Sequence, residues 1–443
     1  MKASRTTVVQ SHGIDYLNSL AQWKGQGGFT LDSMAAVLEK LQNPQNSFRS
    51  IHVTGTNGKG SVGAMLSGIL GAEGHKVGLT TSPHLIAQNE RILIDGMPIS
   101  DEKLNFFALQ VYESSKASSV KLSYFEAITA TAFLAFREEQ VEYAVIEVGL
   151  GGRLDATNLI MKPDACVIVS IALDHTKILG EQEVQIAREK AGIFKEDTIA
   201  ILGYLSANCA NEAIEIAKKK HVSKIRRFGS EFNYEHTEGG AFQFTSMHES
   251  KIETLALQPS LLGSHQLHNA TVAAEVALQL NVSKISIEQG IQNSYWPGRL
   301  EWIDHANGSL LLDCAHNSAG MNSLISYLDS SRLSSLTALF GVLERHDWKL
   351  MVDELIPFVA KWYLKDPPTD RAVSSKEVAE YLKSKGIQSD IITEFHEYFQ
   401  NVKGQKTGLV SGSIYLVGAF KKYLKEEQAD KSWQRPIWIR KEI

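Results

Sequence analysis

Residues 51–61 have the sequence Ile51-His-Val-Thr-Gly-Thr-Asn-Gly-Lys-Gly-Ser61, in which an apolar strand runs into a glycine-rich turn that opens a helix. Its glycines allow left-handed backbone angles and bring peptide N–H groups close to an anion. The N-terminus of the following helix adds the positive end of its dipole. The pattern therefore predicts a phosphate-binding loop between the strand Ile51–Thr54 and the next helix.

Two polar side chains of this loop suit a nucleotide bound with magnesium. Lys59 supplies a mobile cation for β- and γ-phosphate oxygens, and Ser61 supplies a hydroxyl for a magnesium ion. The spacing differs from the common P-loop, because two residues separate Gly55 from Gly58 and Gly60 stands between the lysine and the serine. The combination favours nucleotide binding over a flexible turn. Helical spacing predicts that the following helix buries one apolar face, formed by Val62, Met65, Leu66, Ile69 and Leu70.

The composition is that of an ordinary globular protein, with 43% hydrophobic and 21% charged residues among 443. This length allows two or three domains with cores of their own. A net charge of −5 with scattered lysines and arginines argues against a nucleic-acid partner. We expect no signal peptide and no membrane span, since no apolar run reaches about 20 residues. Three widely spaced cysteines favour a reducing compartment, so the cytoplasm is the expected location.

Segments 49–80 and 141–205 alternate short β-branched strands with amphipathic helices, which is typical of a parallel sheet covered on both faces. Residues 222–260 alternate polar and apolar side chains and predict a small antiparallel appendage, followed by a helix from Gln266 to Leu280. The strands predicted for this first unit are Ile51–Thr54, Val77–Thr80, Tyr143–Val148, Cys166–Ile171 and Ile199–Leu202.

The segment Trp296-Pro-Gly-Arg299 contains both backbone-breaking residue types and predicts a linker at 296–300. We therefore predict an α/β protein of two domains. Residues 1–295 form a P-loop ATPase-type domain with a parallel sheet and the antiparallel appendage, and residues 301–443 form a smaller Rossmann-like α/β domain. A nucleotide would lie in a cleft that the second domain can close. Its predicted strands are Leu310–Asp313, Leu336–Gly341, Lys361–Leu364, Asp390–Thr393 and Ile414–Val417.

Polar residues follow several predicted strands, at the edge where parallel sheets bind ligands. Glu147 ends an apolar strand before a glycine-rich segment, which favours a magnesium ligand over a solvated glutamate. His175 is, from the residues alone, as readily an ordinary loop residue as a metal or phosphate contact. Lys190 is on a predicted helix that starts near Glu181, and a helical lysine usually extends into solvent. Strand ends also carry Ser82, His84, Asp313 and His316.

Taken in order, these motifs closely resemble the folylpolyglutamate synthase and dihydrofolate synthase family of the Mur ligase superfamily. The resemblance spans nearly the whole chain and implies an ATP-dependent ligase. The substrate carboxylate attacks the γ-phosphate of ATP, and the amino group of L-glutamate then displaces phosphate from the acyl phosphate. The matching motifs are His52–Ser61, Ser82–Leu85, Glu90–Ile92, Tyr124–Glu126, Glu147–Asn158, Leu173–His175, Arg188–Phe194, Trp296–Arg299 and Asp313–Asn317.

The resemblance implies a site for ATP and two Mg²⁺ ions. Ser61 and Glu147 would hold one Mg²⁺, while Ser82 and His175 would help bind metal and position the γ-phosphate. Lys190 would react with CO₂ to form a carbamate, whose negative charge ligates a second Mg²⁺. This implication replaces the solvent-exposed Lys190 that the residues alone predict.

The nucleotide and the substrates would be held by both domains. Lys59 would hold the phosphates, and Asp313 and His316 would approach the ribose, the phosphate or the incoming glutamate. Phe125 would stack on the pterin ring, and Asp155 would hydrogen-bond to it. Further nucleotide contacts would come from Thr56, Asn57, Gly58, Gly60, Ser61, Asn269 and Arg299.

The identity of the glutamate acceptor stays open: dihydropteroate, reduced folates or both. We expect a monomer that acts on small molecules. One alternative is a nucleotide-binding module without ligase activity, which would not need Asp313 and His316. Another is a Mur-type ligase for UDP-linked peptides. Such ligases generally have an additional N-terminal domain, and a phosphate loop that begins by residue 55 leaves no room for it. Cys314, Ser318 and Glu344-Arg-His-Asp347 depart from the family's pattern and bear on contacts of the second domain.

Overall fold

The computed structural model describes residues 12–20, 30–237, 241–248, 251–305, 308–344, 348–402 and 407–427. The helices are α1 (His12–Ser19), α2 (Asp32–Lys40), α3 (Lys59–Ala72), α4 (Asp101–Ala117), α5 (Tyr124–Glu138), α6 (Thr176–Leu179), α7 (Glu183–Ala191), α8 (Ala207–Lys219), α9 (His265–Gln279), α10 (Lys284–Gln292), α11 (Ser318–Ser330), α12 (Trp348–Leu355), α13 (Ser375–Ser384), α14 (Phe395–Asn401) and α15 (Ile414–Glu426). The strands are β1 (Arg49–Thr54), β2 (Val77–Thr80), β3 (Ile92–Ile94), β4 (Met97–Pro98), β5 (Tyr143–Glu147), β6 (Ala165–Ser170), β7 (Ile199–Tyr204), β8 (Lys224–Arg227), β9 (Phe232–His236), β10 (Phe242–His248), β11 (Lys251–Leu257), β12 (Glu301–His305), β13 (Gly308–Leu312), β14 (Leu336–Phe340), β15 (Val359–Leu364), β16 (Ser389–Ile391) and β17 (Thr407–Ser411).

The large sheet has the strand order β4-β3-β2-β5-β1-β6-β7-β8. Strands β2, β5, β1, β6, β7 and β8 are parallel, and β3 and β4 add an antiparallel edge. Its central strands are apolar on both faces because helices cover both. Val167 packs with α3 and α9, whereas its neighbours Cys166 and Ile168 pack with α7 and α8. All five strands predicted for the first unit are confirmed, and the loops after them converge at one edge.

Helix α3 corrects one expectation, since it is buried on all sides rather than on one face. Every residue from Ser61 to Gly71 is buried, because α9 and α10 cover the side that the sheet leaves free. A Cβ atom at Gly290 of α10 would lie 2.3 Å from the backbone nitrogen of Ile69. The helix that begins at the phosphate loop is therefore fixed from both sides.

The antiparallel appendage is confirmed as a three-stranded sheet of order β11-β10-β9. Residues 224–227, predicted to belong to it, instead form β8 at the parallel edge of the large sheet. A buried ion pair joins the two sheets: Arg226 Nε lies 2.6 Å from Glu275 Oε1 of α9. Arg226 also donates to Ser246 Oγ of β10. The guanidinium therefore connects β8, α9 and the appendage.

The second unit is a sheet of order β12-β13-β17-β14-β15-β16, parallel except for the edge strand β12. The strand predicted at Ile414–Val417 is wrong, because these residues begin α15. Ser413 caps that helix by accepting from Tyr415 N–H at 3.2 Å, and helical spacing buries Leu416, Val417, Phe420 and Leu424. The missing strand is Thr407–Ser411. The other strands predicted here are confirmed as β13, β14, β15 and β16.

The predicted linker is held by backbone and ionic contacts. Gly298 N–H donates to Glu301 Oε2 at 2.8 Å, and Gly298 O accepts from Cys314 N–H at 2.9 Å. Glu301 also forms a buried ion pair with Lys421 of α15 at 2.6 Å. These contacts fix where the second sheet starts, whereas the domain limits 1–295 and 301–443 stay a prediction. Among the helices described, none is long and apolar enough to cross a membrane.

Candidate active site

A cavity of about 710 Å³ lies at the edge where the loops after β1, β2, β5 and β6 converge, and the second sheet closes its other side. Every residue that the sequence predicts for the site lines this cavity. The first unit contributes Thr56, Asn57, Gly58, Lys59, Gly60, Ser61, Ser82, Phe125, Glu147, Asp155, His175, Lys190 and Asn269, and the linker and second unit contribute Arg299, Asp313 and His316.

The phosphate loop contains two glycines at which a Cβ atom would lie too close to a neighbouring side chain. Gly58 has a φ of 84°, and a Cβ there would lie 2.5 Å from Asn269 Oδ1. A Cβ at Gly60 would lie 2.8 Å from Trp296 Nε1 of the linker. The loop is also tied to β6, because Asn57 N–H donates to Ser170 Oγ at 3.1 Å. Its peptide groups are therefore held in place before any ligand binds.

Lys59 and Glu147 face each other across the phosphate loop. Lys59 Nζ donates to Gly55 O at 3.0 Å and lies 4.0 Å from Glu147 Oε1. The other oxygen of Glu147 accepts from Thr81 Oγ1 at 2.7 Å and from Ser82 N–H at 3.4 Å. Burial raises the pKa of Glu147, and Lys59 opposes that rise. The carboxylate is thus held beside the loop, with one oxygen turned toward the lysine.

Lys190 is buried, with only 4% of its surface exposed, so the solvent-exposed side chain expected from the residues alone is wrong. Helix α7 packs its last turn on the glycine-rich loop after β5, where a Cβ at Gly152 would lie 2.9 Å from Lys190 O. Burial, followed by repulsion from Lys59, lowers the pKa of Lys190 to about 7, against the attraction of Asp174 and Asp155. A substantial fraction of this amine is therefore neutral near neutral pH.

Asn317 joins the second unit to two loops of the first. Its Nδ2 donates to Asn57 Oδ1 at 3.3 Å and to Asp174 Oδ2 at 3.3 Å. Its Oδ1 accepts from Gly320 N–H at 2.8 Å and so caps α11. His175, next to Asp174, is 43% exposed in its side chain. Asn317 ends the motif Asp313–Asn317, and the residues of that motif alone indicate no role for it.

Two carboxylates predicted to contact ligands also organise their own loops. Asp155 accepts from Leu150 N–H at 2.9 Å, and from the N–H and hydroxyl of Thr157 at 3.0 and 2.6 Å. Asp313 accepts from Leu300 N–H and Ala315 N–H, each at 2.9 Å. Burial raises the pKa of both carboxyls. Hydrogen bonds to both oxygens hold these side chains rigidly at the cavity wall.

Several cavity residues are not predicted from the sequence. Gln266 Nε2 donates to Ser61 Oγ at 3.2 Å, and its Oε1 accepts from Asn269 at 2.8 Å. The spacing of three residues between Gln266 and Asn269 on one helix was a usable signal. Arg371 donates to the hydroxyl of Tyr415 at 3.2 Å, a contact between distant segments that no local pattern indicates. In Glu344-Arg-His-Asp347, which differs from the family's pattern, residues 345–347 lie outside the described residues.

Comparisons with known proteins agree with this geometry. The Mur ligase middle domain matches residues 53–277, and the Mur ligase glutamate ligase domain matches residues 298–414. The chain is 35% identical over 406 residues to folylpolyglutamate synthase of Lacticaseibacillus casei, covering 88% of this chain and 92% of that protein. It is 32% identical over 413 residues to dihydrofolate synthase/folylpolyglutamate synthase of Bacillus subtilis, covering 89% and 95%.

The chain belongs to the folylpolyglutamate synthase and dihydrofolate synthase family. It is therefore an ATP-dependent ligase of the Mur ligase superfamily. The solved structure of Escherichia coli FolC in complex with DHPP and ADP superposes with a TM-score of 0.83 at 28% identity, covering 94% of this chain and 98% of that one. The α/β fold predicted from the sequence, with a parallel-sheet unit followed by a second α/β unit, is that of this family.

The side chains of this ligase suit Mg²⁺ better than a transition metal. Glu147, Ser61 and Ser82 offer oxygen atoms, which magnesium prefers, and His175 lines the same cavity. Within the described part of the chain, no three His, Cys, Asp or Glu side chains cluster as a metal cage. Magnesium needs no such cage, because it binds one or two carboxylates together with substrate phosphates and water. The residues therefore fit a metal ion that arrives with ATP.

Proposed function

We propose that this ligase adds L-glutamate both to dihydropteroate and to reduced folates, through an acyl phosphate at the cavity described above. The observation that carries the proposal is that one cavity joins the phosphate loop, the buried Glu147, the aromatic Phe125 and the second-unit residues His316 and Arg371. The names of the two relatives support it, since one is a folylpolyglutamate synthase and the other carries both activities.

The phosphates of ATP would bind at the phosphate loop. Lys59 would offset the charge that builds on the γ-phosphate, and the N–H groups of Thr56, Asn57, Gly58, Gly60 and Ser61 would line the phosphate oxygens. Asn269 would contact the nucleotide from α9, with Arg299 and Asp313 on the side of the linker. The position of Asn269 against Gly58 supports this assignment.

Mg²⁺ would be held by Ser61 and Glu147, with Ser82 and His175 assisting and Lys190 completing a second site. When bound, the metal neutralises charge between the phosphates and the attacking carboxylate. Lys190 would serve as a carbamate: its neutral amine attacks CO₂, an N–C bond forms and a proton is released. The burial of Lys190 and its lowered pKa support this step.

The carbamate can be tested without measuring activity. Protein equilibrated with ¹³C-bicarbonate should give a carbamate carbon signal by NMR, and the signal should be absent from Lys190→Ala. Lys219→Ala, on an exposed face of α8, is the matched control and should keep the signal. A spectrum that is the same for wild type and Lys190→Ala would remove the carbamate from the proposal.

The folate ring would lie against Phe125, whose ring covers the glycine-rich loop after β5. A Cβ at Gly149 would lie 2.4 Å from this ring, so glycine is required where the aromatic side chain sits. Asp155, fixed by Leu150 and Thr157, would present its remaining lone pairs to the pterin. A rigid carboxylate suits recognition of a ring edge, because it loses little entropy on binding.

The second unit would deliver L-glutamate to the acyl phosphate. His316 would approach the reacting groups, and its Nδ1 is oriented by the carbonyl oxygen of Cys314 at 2.8 Å. Arg371 would offer a cation to a carboxylate of the incoming amino acid. Contact between Asn317 and the phosphate loop would exclude water, which otherwise hydrolyses the acyl phosphate. We propose a cytoplasmic monomer without a nucleic-acid or membrane partner.

Product analysis by mass spectrometry tests the proposed function. Incubation with ATP, Mg²⁺ and L-glutamate should extend both dihydropteroate and tetrahydrofolate by one glutamyl residue. With ¹⁸O in the acceptor carboxylate, one ¹⁸O atom should appear in the released phosphate, because that oxygen forms the acyl phosphate bond. Extension of only one acceptor would exclude bifunctionality, and phosphate without ¹⁸O would exclude the acyl phosphate.

A further inference from the structure

Arg91 lines the cavity and is held by two neighbours. Its Nε donates to His84 Nδ1 at 2.9 Å, and its guanidinium carbon lies 5.2 Å from the centre of the Tyr124 ring. Burial lowers the pKa of this guanidinium, whose usual value is far above neutral, so it remains a cation. Both neighbours are uncharged partners of Arg91, and they orient the cation without neutralising it.

The carboxylates near Arg91 are engaged elsewhere. Glu90, next in the chain, accepts from the N–H groups of Leu85, Ile86 and Ala87 at 2.7 to 3.1 Å. Glu147 accepts from Thr81 and faces Lys59. None of the ion pairs formed within the described ranges includes Arg91. A partly buried cation without a carboxylate partner, on the wall of a cavity, calls for an anionic ligand.

The position of Arg91 in the cavity indicates which anionic ligand it binds. Tyr124, over which Arg91 lies, is adjacent to Phe125 on the proposed pterin side, while the triphosphate has Lys59 and the phosphate loop. Glu147 is close enough that its negative charge raises the pKa of Arg91, against the effect of burial. The group that must reach from the pterin side to the metal and γ-phosphate is the acceptor carboxylate. We propose that Arg91 binds the acceptor carboxylate that becomes phosphorylated, with His84 as a positioning residue; this rests on the proposed function.

The hydrogen bond to His84 determines how Arg91 can bind. An arginine Nε–H can only donate, so Nδ1 of His84 accepts and the ring proton is on Nε2. With Nε engaged, the two terminal nitrogen atoms remain for a paired contact with the two carboxylate oxygens. As one carboxylate oxygen bonds to the γ-phosphorus and ADP leaves, the same cation faces the new acyl phosphate. Benzoate-type and glutamyl carboxylates can both use this contact, because both must reach the same γ-phosphate.

Equilibrium binding tests the inference without turnover. The proteins are wild type, Arg91→Gln, Arg91→Lys and the control Arg332→Gln, which is on an exposed turn of the second unit. The ligands are dihydropteroate, its methyl ester and ADP. Arg91→Gln should weaken dihydropteroate binding about tenfold or more, as expected for lost charge-assisted hydrogen bonds. It should leave binding of the ester and ADP unchanged. Arg91→Lys should fall in between, since lysine cannot make the paired contact.

The outcomes separate this inference from the proposed function. Wild-type binding of dihydropteroate by Arg91→Gln would overturn the role of Arg91 and leave the proposed function standing. An equal loss for the acid and the ester would also overturn it, because the carboxylate would then not be the group recognised. Failure of the wild type to bind dihydropteroate would contradict the proposed function itself, and this inference with it.

Two variants test His84 as a positioning residue. His84→Asn retains an acceptor near the position of Nδ1, whereas His84→Leu removes it. The KM for dihydropteroate should rise several-fold in His84→Leu and stay near wild type in His84→Asn, with the KM for ATP unchanged in both. Equal KM values for dihydropteroate in both variants, or a KM for ATP that rises equally, would contradict the positioning role.

Discussion

Asn317 Nδ2 lies 3.3 Å from Asn57 Oδ1, so the residue that caps α11 in the second unit also touches the phosphate loop of the first. The same amide reaches Asp174, at the loop that carries His175. A single side chain therefore connects the helix that follows β13 with both loops at the phosphate end of the cavity. We expect this contact to couple closure of the cleft to the geometry of the phosphate loop.

Replacing Asn317 by serine should separate capping from bridging. Serine retains an N-cap acceptor but is too short to reach Asn57, so the melting temperature should stay near wild type. The kcat/KM for ligation should fall roughly tenfold, and ADP release without ligation should increase because water enters the cleft. Asn322→Ser, in the middle of α11, is the control. If folded Asn317→Ser ligated glutamate with unchanged kcat/KM and no extra ADP release, the link between cleft closure and the phosphate loop would be contradicted.

Lys59→Ala should abolish ligation while leaving the fold intact. Its charge offsets repulsion in the transition state, and removal of such a group typically costs about 100-fold or more in kcat. Among the described residues, Lys59 donates to carbonyl oxygens of its own loop and faces Glu147, so little of the core depends on it. Steady-state rates and thermal unfolding check both parts, with Lys219→Ala as the control. Near-wild-type turnover in folded Lys59→Ala would remove the phosphate-loop assignment.

Burial of Lys190 should cost stability in a pH-dependent way. Its pKa falls from 10.5 to about 7 on folding, so the unfolded chain binds more protons between these pH values. Stability of the wild type should therefore rise with pH through this window. Lys190→Met removes this cost and should be more stable by roughly 2 to 4 kcal/mol near pH 7, since one pKa unit is worth about 1.4 kcal/mol.

The measurement is urea unfolding of both proteins in CO₂-free, metal-free buffer at several pH values. The stability difference between Lys190→Met and wild type should shrink as pH approaches 10. Lys190→Met should also be inactive, because it lacks the amine that forms the carbamate. A stability difference that does not change with pH would show that the Lys190 amine is not desolvated in the folded protein.

Asp155→Ala should impair the use of dihydropteroate more than the extension of tetrahydrofolate, if the two acceptors dock differently in the pterin pocket. It should also lower stability by about 1 to 3 kcal/mol, because the N–H groups of Leu150 and Thr157 lose their acceptor. Thr157→Val is the control for the loop, since it removes the hydroxyl that donates to Asp155 and also hydrogen-bonds with the buried His52. If Thr157→Val showed the same change in acceptor preference as Asp155→Ala, the change would result from a disturbed loop rather than from a lost contact with the pterin ring.

Local patterns predicted the elements that depend on local physics. Alternation of apolar strands and helices located β1, β2, β5, β6 and β7, and strand ends indicated Glu147 and His175, because parallel strands share one edge. The apolar run Ile414–Val417 was misread as a strand since it resembles one, whereas the cap at Ser413 makes it a helix.

Local sequence patterns could not predict contacts between distant segments of the chain. The bond from Asn317 to Asn57 joins residues 260 positions apart, and Arg371 meets Tyr415 across 44 positions. The burial of Lys190 follows from the packing of α7 on the loop after β5, which its own helix does not encode. The resemblance to the family implied a role for Lys190 at the metal site, whereas the residues alone predicted a side chain exposed to solvent.

Glutamate ligation at this cavity is tested most directly by glutamate-dependent ADP formation by the purified protein, with dihydropteroate and tetrahydrofolate side by side. ADP release should require L-glutamate and either acceptor, should be matched by one glutamyl addition per ADP, and should be lost in Lys59→Ala. ADP release that is independent of both L-glutamate and the acceptor would contradict glutamate ligation at this cavity.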